Sequence, residues 1–144
     1  MPRFFTLAEA QSLLPQVEKQ VRRAVSTKAV LQEAQSEIEG VSEKVRLTGG
    51  AMVDRSKLRD TIARRDAAAV ELRDTLTALQ ERGCLVKDLD LGLLDFPTRF
   101  RGEEVYLCWK LGEPAIAFWH AVNEGYRGRQ PIDQDFLDHH QGDS

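Results

Sequence analysis

Apolar residues recur at alternating intervals of three and four along the first half of the chain. One series comprises Leu14, Val17, Val21, Ala24, Leu31 and Ile38, with the polar residues Lys28 and Gln35 at two of its positions. A second series comprises Leu58, Ile62, Arg65, Ala69, Leu72, Leu76 and Leu79. This spacing is typical of helices that pack along a narrow, coiled-coil-like seam. The pattern predicts two long helices within residues 5–82, the second over residues 56–82.

Local signals mark the ends of these helices. Thr6, followed three residues later by a glutamate, is typical of a capped helix start. Pro15 lies too deep for a first turn and predicts a kink or a second start. Gly49-Gly50 predicts a turn, and Gly83 predicts a left-handed helix stop. Helices joined by a short turn lie antiparallel, so residues 5–82 are expected to form a helical hairpin.

After Gly83 the period changes from helical to alternating, which is typical of strands. The predicted strands are CLVKDLD, GLLDFPTRF, EEVYLCWK and AIAFWHAV, the last as a strand or a short helix start. Pro97 has no amide proton and is expected to end the second strand. Short connections favour an antiparallel meander over residues 83–133. Residues 134–144 are expected to form a flexible tail, so residues 1–144 are predicted to be one α+β domain.

The narrow apolar stripes predict self-association. A two-helix hairpin with such stripes cannot bury enough apolar surface alone. It therefore requires the sheet or a second copy of itself, and a homodimer is favoured.

Composition disfavours several classes of partner, although RNA binding through a basic cluster on the second helix stays an alternative. A formal net charge of −3 gives no electrostatic argument for nucleic acid. The basic residues of the second helix are interleaved with acidic ones, which is typical of a solvated face. This basic cluster comprises Lys57, Arg59, Arg64 and Arg65.

No apolar run reaches the roughly 18–20 residues of a membrane span. The N-terminus lacks the apolar core of a signal peptide, and two cysteines without CxxC spacing suit a reducing compartment. A cytoplasmic protein is expected.

Polar residues within the predicted strands define a candidate site. Asp95, Glu113 and His120 lie on or beside otherwise apolar strands, where an unpaired carboxylate is costly to bury. If they converge, they could hold a divalent cation or form an acid/base set. The full candidate set for ligand binding, where sheet meets helices, is Asp95, Trp109, Glu113, Trp119, His120 and Arg129.

A structural role is the competing interpretation of the same residues. In it, His120 bonds a carbonyl, Glu113 belongs to a turn, and Asp95 ties down the turn after it. Trp109 and Trp119 then fill the core, and Arg129 pairs with a sheet carboxylate. This interpretation favours a binding or scaffold protein, whereas convergence of Asp95, Glu113 and His120 favours a metal-assisted or acid/base enzyme. The sequence assigns no cofactor.

Several motifs together resemble a known family. They are FFTLAEAQSLLP at the N-terminus and GLLDFP, VYLCWKLGEP, FWH and GYRGRQPI after Gly83. Nearly the whole chain resembles the bacterial domain-of-unknown-function family DUF2203. The resemblance implies a small cytoplasmic prokaryotic protein of α+β character, and it brings no activity, cofactor or catalytic residue.

Overall fold

The computed structural model describes residues 3–50 and 52–143. The helices are α1 (Leu7–Thr48), α2 (Arg55–Glu81) and α3 (Gln134–His139), with a 3₁₀ turn at Tyr126–Gly128. The strands are β1 (Leu85–Asp88), β2 (Leu93–Phe100), β3 (Glu103–Lys110), β4 (Phe118–Ala121), β5 (Gln130–Pro131) and β6 (His140–Gln141). The predicted α+β class, with two long helices before an antiparallel sheet, is confirmed. No helix among the described residues is long and apolar enough to cross a membrane.

The chain divides into two compact units. The first, here called the sheet unit, contains residues 1–22 and 76–144. The second, here called the hairpin unit, contains residues 23–75. Both long helices therefore contribute to both units.

The sheet unit contains an antiparallel sheet in the order β1-β2-β3-β4-β5, with β6 also paired to β2. Consecutive strands are neighbours, as the short connections predict. One face holds Phe96, Leu107 and Trp109, all fully buried, and Phe5 packs edge-on against Phe96 with ring centroids 5.5 Å apart. The opposite face holds Asp95, Tyr106, Cys108 and His120. Strand alternation thus separates an apolar core face from a face rich in polar groups.

The prediction that Pro97 ends its strand is wrong. Pro97 pairs in register with Tyr106 of β3, while its carbonyl accepts a hydrogen bond from the Phe5 amide on the other side of β2 (2.7 Å). The N and C=O of one strand residue point the same way, so the missing N–H faces Phe5 and not β3. No bond of the β2–β3 ladder is lost, and the strand continues to Phe100.

The ends of the long helices follow the sequence signals within the sheet unit. The Thr6 amide donates to Glu9 Oε1 and the Glu9 amide to Thr6 Oγ1, both at 3.1 Å, which forms the reciprocal capping box. At the end of α2, Gly83 has φ +97°, and the Cys84 amide donates to the Leu79 carbonyl (3.2 Å). That bond is typical of a Schellman stop. Helix α1 continues through Pro15, so a second start there is wrong.

Within the expected flexible tail, residues 134–141 form α3 and β6. Asp133 caps α3 by accepting from the Phe136 amide (2.9 Å). Phe136 is fully buried, stacked on Phe100 (4.9 Å) and Trp119 (5.1 Å). The Leu7 amide donates to His140 Nε2 (3.0 Å). One aromatic anchor and two polar contacts thus order a segment whose polar composition predicts fraying.

The hairpin unit has an unusually small core. Its arms are antiparallel, as shown by the ion pair between Arg23 and Glu71 and by the Thr61 hydroxyl donating to Glu37 (3.1 Å). The buried side chains among its described residues are Ala24, Thr27, Ala34, Thr61 and Ala68. The larger apolar residues of the predicted seam flank this core and are only half-buried, including Leu31, Ile38, Ile62 and Leu72.

Candidate functional site

Three neighbouring strands bring three ionisable side chains together on the polar face of the sheet. Asp95 of β2 pairs directly with Cys108 of β3. His120 of β4 pairs with Tyr106, two residues before Cys108 on the same face. The potential ligand atoms of Asp95, Cys108 and His120 all lie within 4.8 Å of one another. Asp95 and Cys108 are 1% exposed, and His120 is 4% exposed.

Asp95 and His120 form a buried pair. His120 Nε2 lies 3.0 Å and 3.1 Å from the two carboxyl oxygens of Asp95. On the other side of the ring, Nδ1 lies 2.8 Å from the carbonyl oxygen of Ala121. A carbonyl can only accept, so Nδ1 carries a proton and donates it. The expected bond between His120 and a carbonyl is present, but Asp95 is held by His120 and not by a following turn.

This arrangement fixes the protonation of the pair. A neutral imidazole has one N–H, and Nδ1 uses it on Ala121. The contact between Nε2 and the Asp95 carboxyl therefore requires a second proton, held by one partner or the other. Burial raises the pKa of Asp95, opposed by the nearby charge and hydrogen bond of His120. The pair thus holds one proton more than a neutral imidazole beside an ionised carboxylate.

Cys108 completes the cluster as an inert thiol. Burial, together with the adjacent Asp95, raises the pKa of Cys108 to about 12. The nucleophilic form of cysteine is the thiolate, so Cys108 is not suited to nucleophilic catalysis at neutral pH. Arg129 Nη1 lies 4.0 Å from the sulfur and opposes this effect.

Glu113 lies in the turn after β3 and binds Arg129. Two hydrogen bonds, of 3.1 Å and 2.6 Å, join the guanidinium to the two carboxyl oxygens. Burial opposes the guanidinium charge, but the hydrogen bonds and charge of Glu113 outweigh it and raise the pKa of Arg129. The guanidinium also lies over the rings of Phe118 (3.9 Å) and Tyr126 (4.6 Å). Such a bidentate, stacked arginine is held in one place.

The two tryptophans lie on the core side of the sheet. Trp109 is fully buried, and its indole N–H donates to the Glu113 carbonyl (3.0 Å). Trp119 is half-buried and stacks on Phe136. These contacts are those of packing residues rather than of an aromatic wall around a ligand.

The structure brings together only part of the predicted constellation. Asp95 and His120 meet, whereas Glu113 turns towards Arg129 and is outside the group of ligand atoms within 4.8 Å. Cys108 takes its place. Cys108 is not among the candidate residues from the sequence, although alternation along β3 puts it on the polar face. The missing signal is the register between β2 and β3, which pairs Cys108 with Asp95.

A separate cleft lies where α2 meets the sheet. It has a volume of about 410 Å³ and is mostly apolar, with Lys87 as its charged residue. Its lining residues are Leu76, Gln80, Cys84, Leu85, Val86, Lys87 and Leu89. The six candidate binding residues from the sequence do not line this cleft.

Comparison with protein-family models gives a match over most of the chain. The family model described as "Uncharacterized conserved protein (DUF2203)" matches residues 3–132. No curated protein and no solved structure matches the chain.

Proposed function

We propose that this chain, which belongs to the DUF2203 family, is a binding or scaffold protein that forms a homodimer through its hairpin unit. The observation that carries the proposal is the composition of the hairpin core. Among the hairpin residues that the structure describes, the buried side chains are alanine and threonine only, so burial there contributes little of the roughly 1.5–3 kcal/mol that a fully buried Leu or Ile supplies.

The half-buried residues beside that core supply the interface. Leu31 and Ile38 are seven residues apart on α1, two turns of helix. Ile62 and Leu72 are separated by nearly three turns on α2. A second copy packed on this stripe would give a four-helix arrangement with the coiled-coil-like spacing of the sequence.

The polar face of the sheet supports binding rather than catalysis. The acid/base alternative requires Asp95, Glu113 and His120 at one point, and Glu113 is bound to Arg129 instead. Asp95 and His120 satisfy each other's hydrogen bonds. We place the protein in the cytoplasm, because both cysteines are free, buried thiols and a reducing compartment keeps thiols in that form.

The dimer is tested by native mass and sedimentation of the full chain. We expect twice the 16.3 kDa of one chain. Leu31→Lys should dissociate the dimer by burying a charge at the interface, and should keep its helix content because Leu and Lys have similar helix propensities.

Gln32→Lys is the matched control. It introduces the same charge one residue along, at an exposed position, and should leave the mass unchanged. A wild-type chain that is monomeric at tens of micromolar would refute the proposal. Equal dissociation by both variants would also refute it.

A further inference from the structure

We propose that Asp95, Cys108 and His120 form a Zn²⁺ site, with a carboxyl oxygen, Sγ and Nε2 as the three protein ligands. Carboxylate, thiolate and imidazole are the ligand types of protein zinc. The thiolate and imidazole together disfavour Mg²⁺ and Ca²⁺, which prefer oxygen ligands. The site is independent of the proposed dimer, because all three ligands belong to the sheet unit.

The spacing of the ligand atoms fits this ion after small shifts. Atoms that surround Zn²⁺ tetrahedrally stand roughly 3.3–3.7 Å apart, given metal–ligand distances near 2.0–2.3 Å. His120 Nε2 and the Asp95 carboxyl, at 3.0 Å, need to separate slightly. No two ligand atoms in the cluster are more than 4.8 Å apart. The distances from the sulfur to the other two ligand atoms therefore need to shorten by at most about 1.5 Å.

The orientation of His120 is a second, independent argument. A histidine that binds metal through one nitrogen donates its other N–H to a carbonyl, carboxylate or water, which fixes the tautomer. Nδ1 of His120 donates to the Ala121 carbonyl (2.8 Å). The nitrogen left for the metal is Nε2, the one that lies against the Asp95 carboxyl.

Arg129 supports the site from outside the ligand set. Its guanidinium is 4.0 Å from the sulfur, so it stabilises Cys108 as a thiolate once the metal is bound. Glu113 neutralises and orients that guanidinium through two hydrogen bonds. Glu113, which the sequence predicts as a metal ligand, thus acts as a positioning residue: it holds Arg129, and Arg129 lies beside the Cys108 sulfur.

The site lies one side chain beneath the surface. The Tyr106 ring packs edge-on against His120, with centroids 5.5 Å apart, and Lys87 Nζ lies 4.9 Å from the Tyr106 ring. Lys87 is exposed, so joint movement of Lys87 and the Tyr106 ring would open a path for the ion. With three protein ligands, the fourth position of a tetrahedral Zn²⁺ belongs to water or to a bound partner.

Zn²⁺ binding is expected to release a defined number of protons. The Cys108 thiol loses its proton as sulfur bonds zinc, and the Asp95–His120 pair loses the proton shared at Nε2 as nitrogen and carboxylate bond zinc. Both protons pass to the buffer. Two charges leave as protons and two arrive with Zn²⁺, so the total charge of the buried site does not change.

The test is titration of the metal-free full chain with Zn²⁺, by calorimetry in buffers of different ionisation enthalpy. We expect one Zn²⁺ per chain and release of about two protons near neutral pH. Cys108→Ser should weaken binding on the order of 100-fold or more, since it removes a ligand outright. Cys84→Ser is the matched control, because Cys84 is equally buried but outside the cluster, and it should bind as the wild type does.

Co²⁺ in place of Zn²⁺ keeps the test decisive if Cys108→Ser fails to fold. Wild-type protein should show the sulfur-to-cobalt charge-transfer band and the intense visible bands of four-coordinate Co²⁺. Absence of stoichiometric binding, binding without that charge-transfer band, or binding that survives Cys108→Ser would overturn the proposal. Survival in Cys108→Ser would identify an adventitious surface site.

Discussion

At the scale of single residues, the effect of burial on pKa is clearest for the two cysteine thiols. Burial raises the pKa of Cys84 to about 11, opposed by Arg82 and Arg3, and raises that of Cys108 to about 12. The ordinary value is 9.0 for both. A raised pKa means that the folded state holds the proton more tightly than the unfolded chain does. The free energy of unfolding is therefore unaffected by these thiols below pH 9 and falls as pH rises from there towards 11–12.

Alkaline unfolding of the metal-free protein should reveal both thiols. We expect the urea midpoint to fall progressively above pH 9, because the unfolded chain releases thiol protons that the folded chain retains. Measured against pH 8, the fall should be smaller in Cys84→Ala and Cys108→Ala than in the wild type. An identical slope in all three proteins would show that the thiols do not control this stability.

The residue scale also shows how much of the site is predictable. Asp95 and His120 stand out in the sequence because they interrupt apolar strands, and the structure places them in one pair. Cys108 does not stand out, because cysteine counts as apolar in any periodicity. Glu113 lies in a turn, where alternation does not constrain a side chain, and its orientation depends on Arg129, sixteen residues later.

At the scale of elements, the C-terminal segment shows that a few contacts outweigh polar composition. Residues 134–141 form α3 and β6 because Phe136 is buried among aromatic rings and His140 accepts the Leu7 amide at the start of α1. That amide is one of the donors that a helix start leaves unsatisfied. The segment therefore covers a part of the core and caps α1.

Removal of that anchor tests its importance. Phe136→Ala should destabilise the protein by about 3–5 kcal/mol, as for other fully buried phenylalanines. Leu137→Ala, at the adjacent position that is 40% exposed, should cost much less. Urea unfolding of the two variants gives the comparison. Equal losses would mean that Phe136 does not anchor the segment.

The long helices are predictable from sequence, and so are their buried positions in the sheet unit, but most innermost positions of the hairpin unit are not. Periodicity identifies both helices and the turn near Gly50. It places Lys28 and Ala69 in the seam, whereas Thr27 and Ala68 are the buried neighbours. Each of these buried positions is shifted by one residue from the predicted seam. The hydrophobic pattern does not reveal this shift, because the small residues at the closest approach of the two helices are only weakly apolar. The contact between two helices is decided by packing distance as well as by hydrophobicity.

At the scale of the whole molecule, burial is distributed unequally between the two units. The fully buried large side chains, including Trp109, Phe5, Phe96 and Phe136, belong to the sheet unit. In the hairpin unit, Leu47 is 74% exposed and Met52 is 69% exposed. Regions with few buried apolar contacts open at lower free energy than the core does.

Hydrogen exchange should follow that division. Amides in the β2–β3 ladder should exchange most slowly, and those of residues 42–50 fastest, because every side chain from 42 to 49 is exposed. Mass spectrometry of peptides from a dilute sample measures this directly. Uniform protection across both regions would contradict the expected difference in local stability.

The division of the chain between units has a consequence for how such molecules can vary in size. The sheet unit is assembled from two stretches that the hairpin unit separates in sequence by residues 23–75. The entropic cost of closing a loop between these two stretches rises by only about 0.6 kcal/mol when the length of the loop doubles. Matched lengthening or trimming of both arms by whole turns leaves every strand residue in place. The length of the hairpin unit is therefore the property of this protein that can change most freely while its proposed zinc ligands and its sheet stay the same.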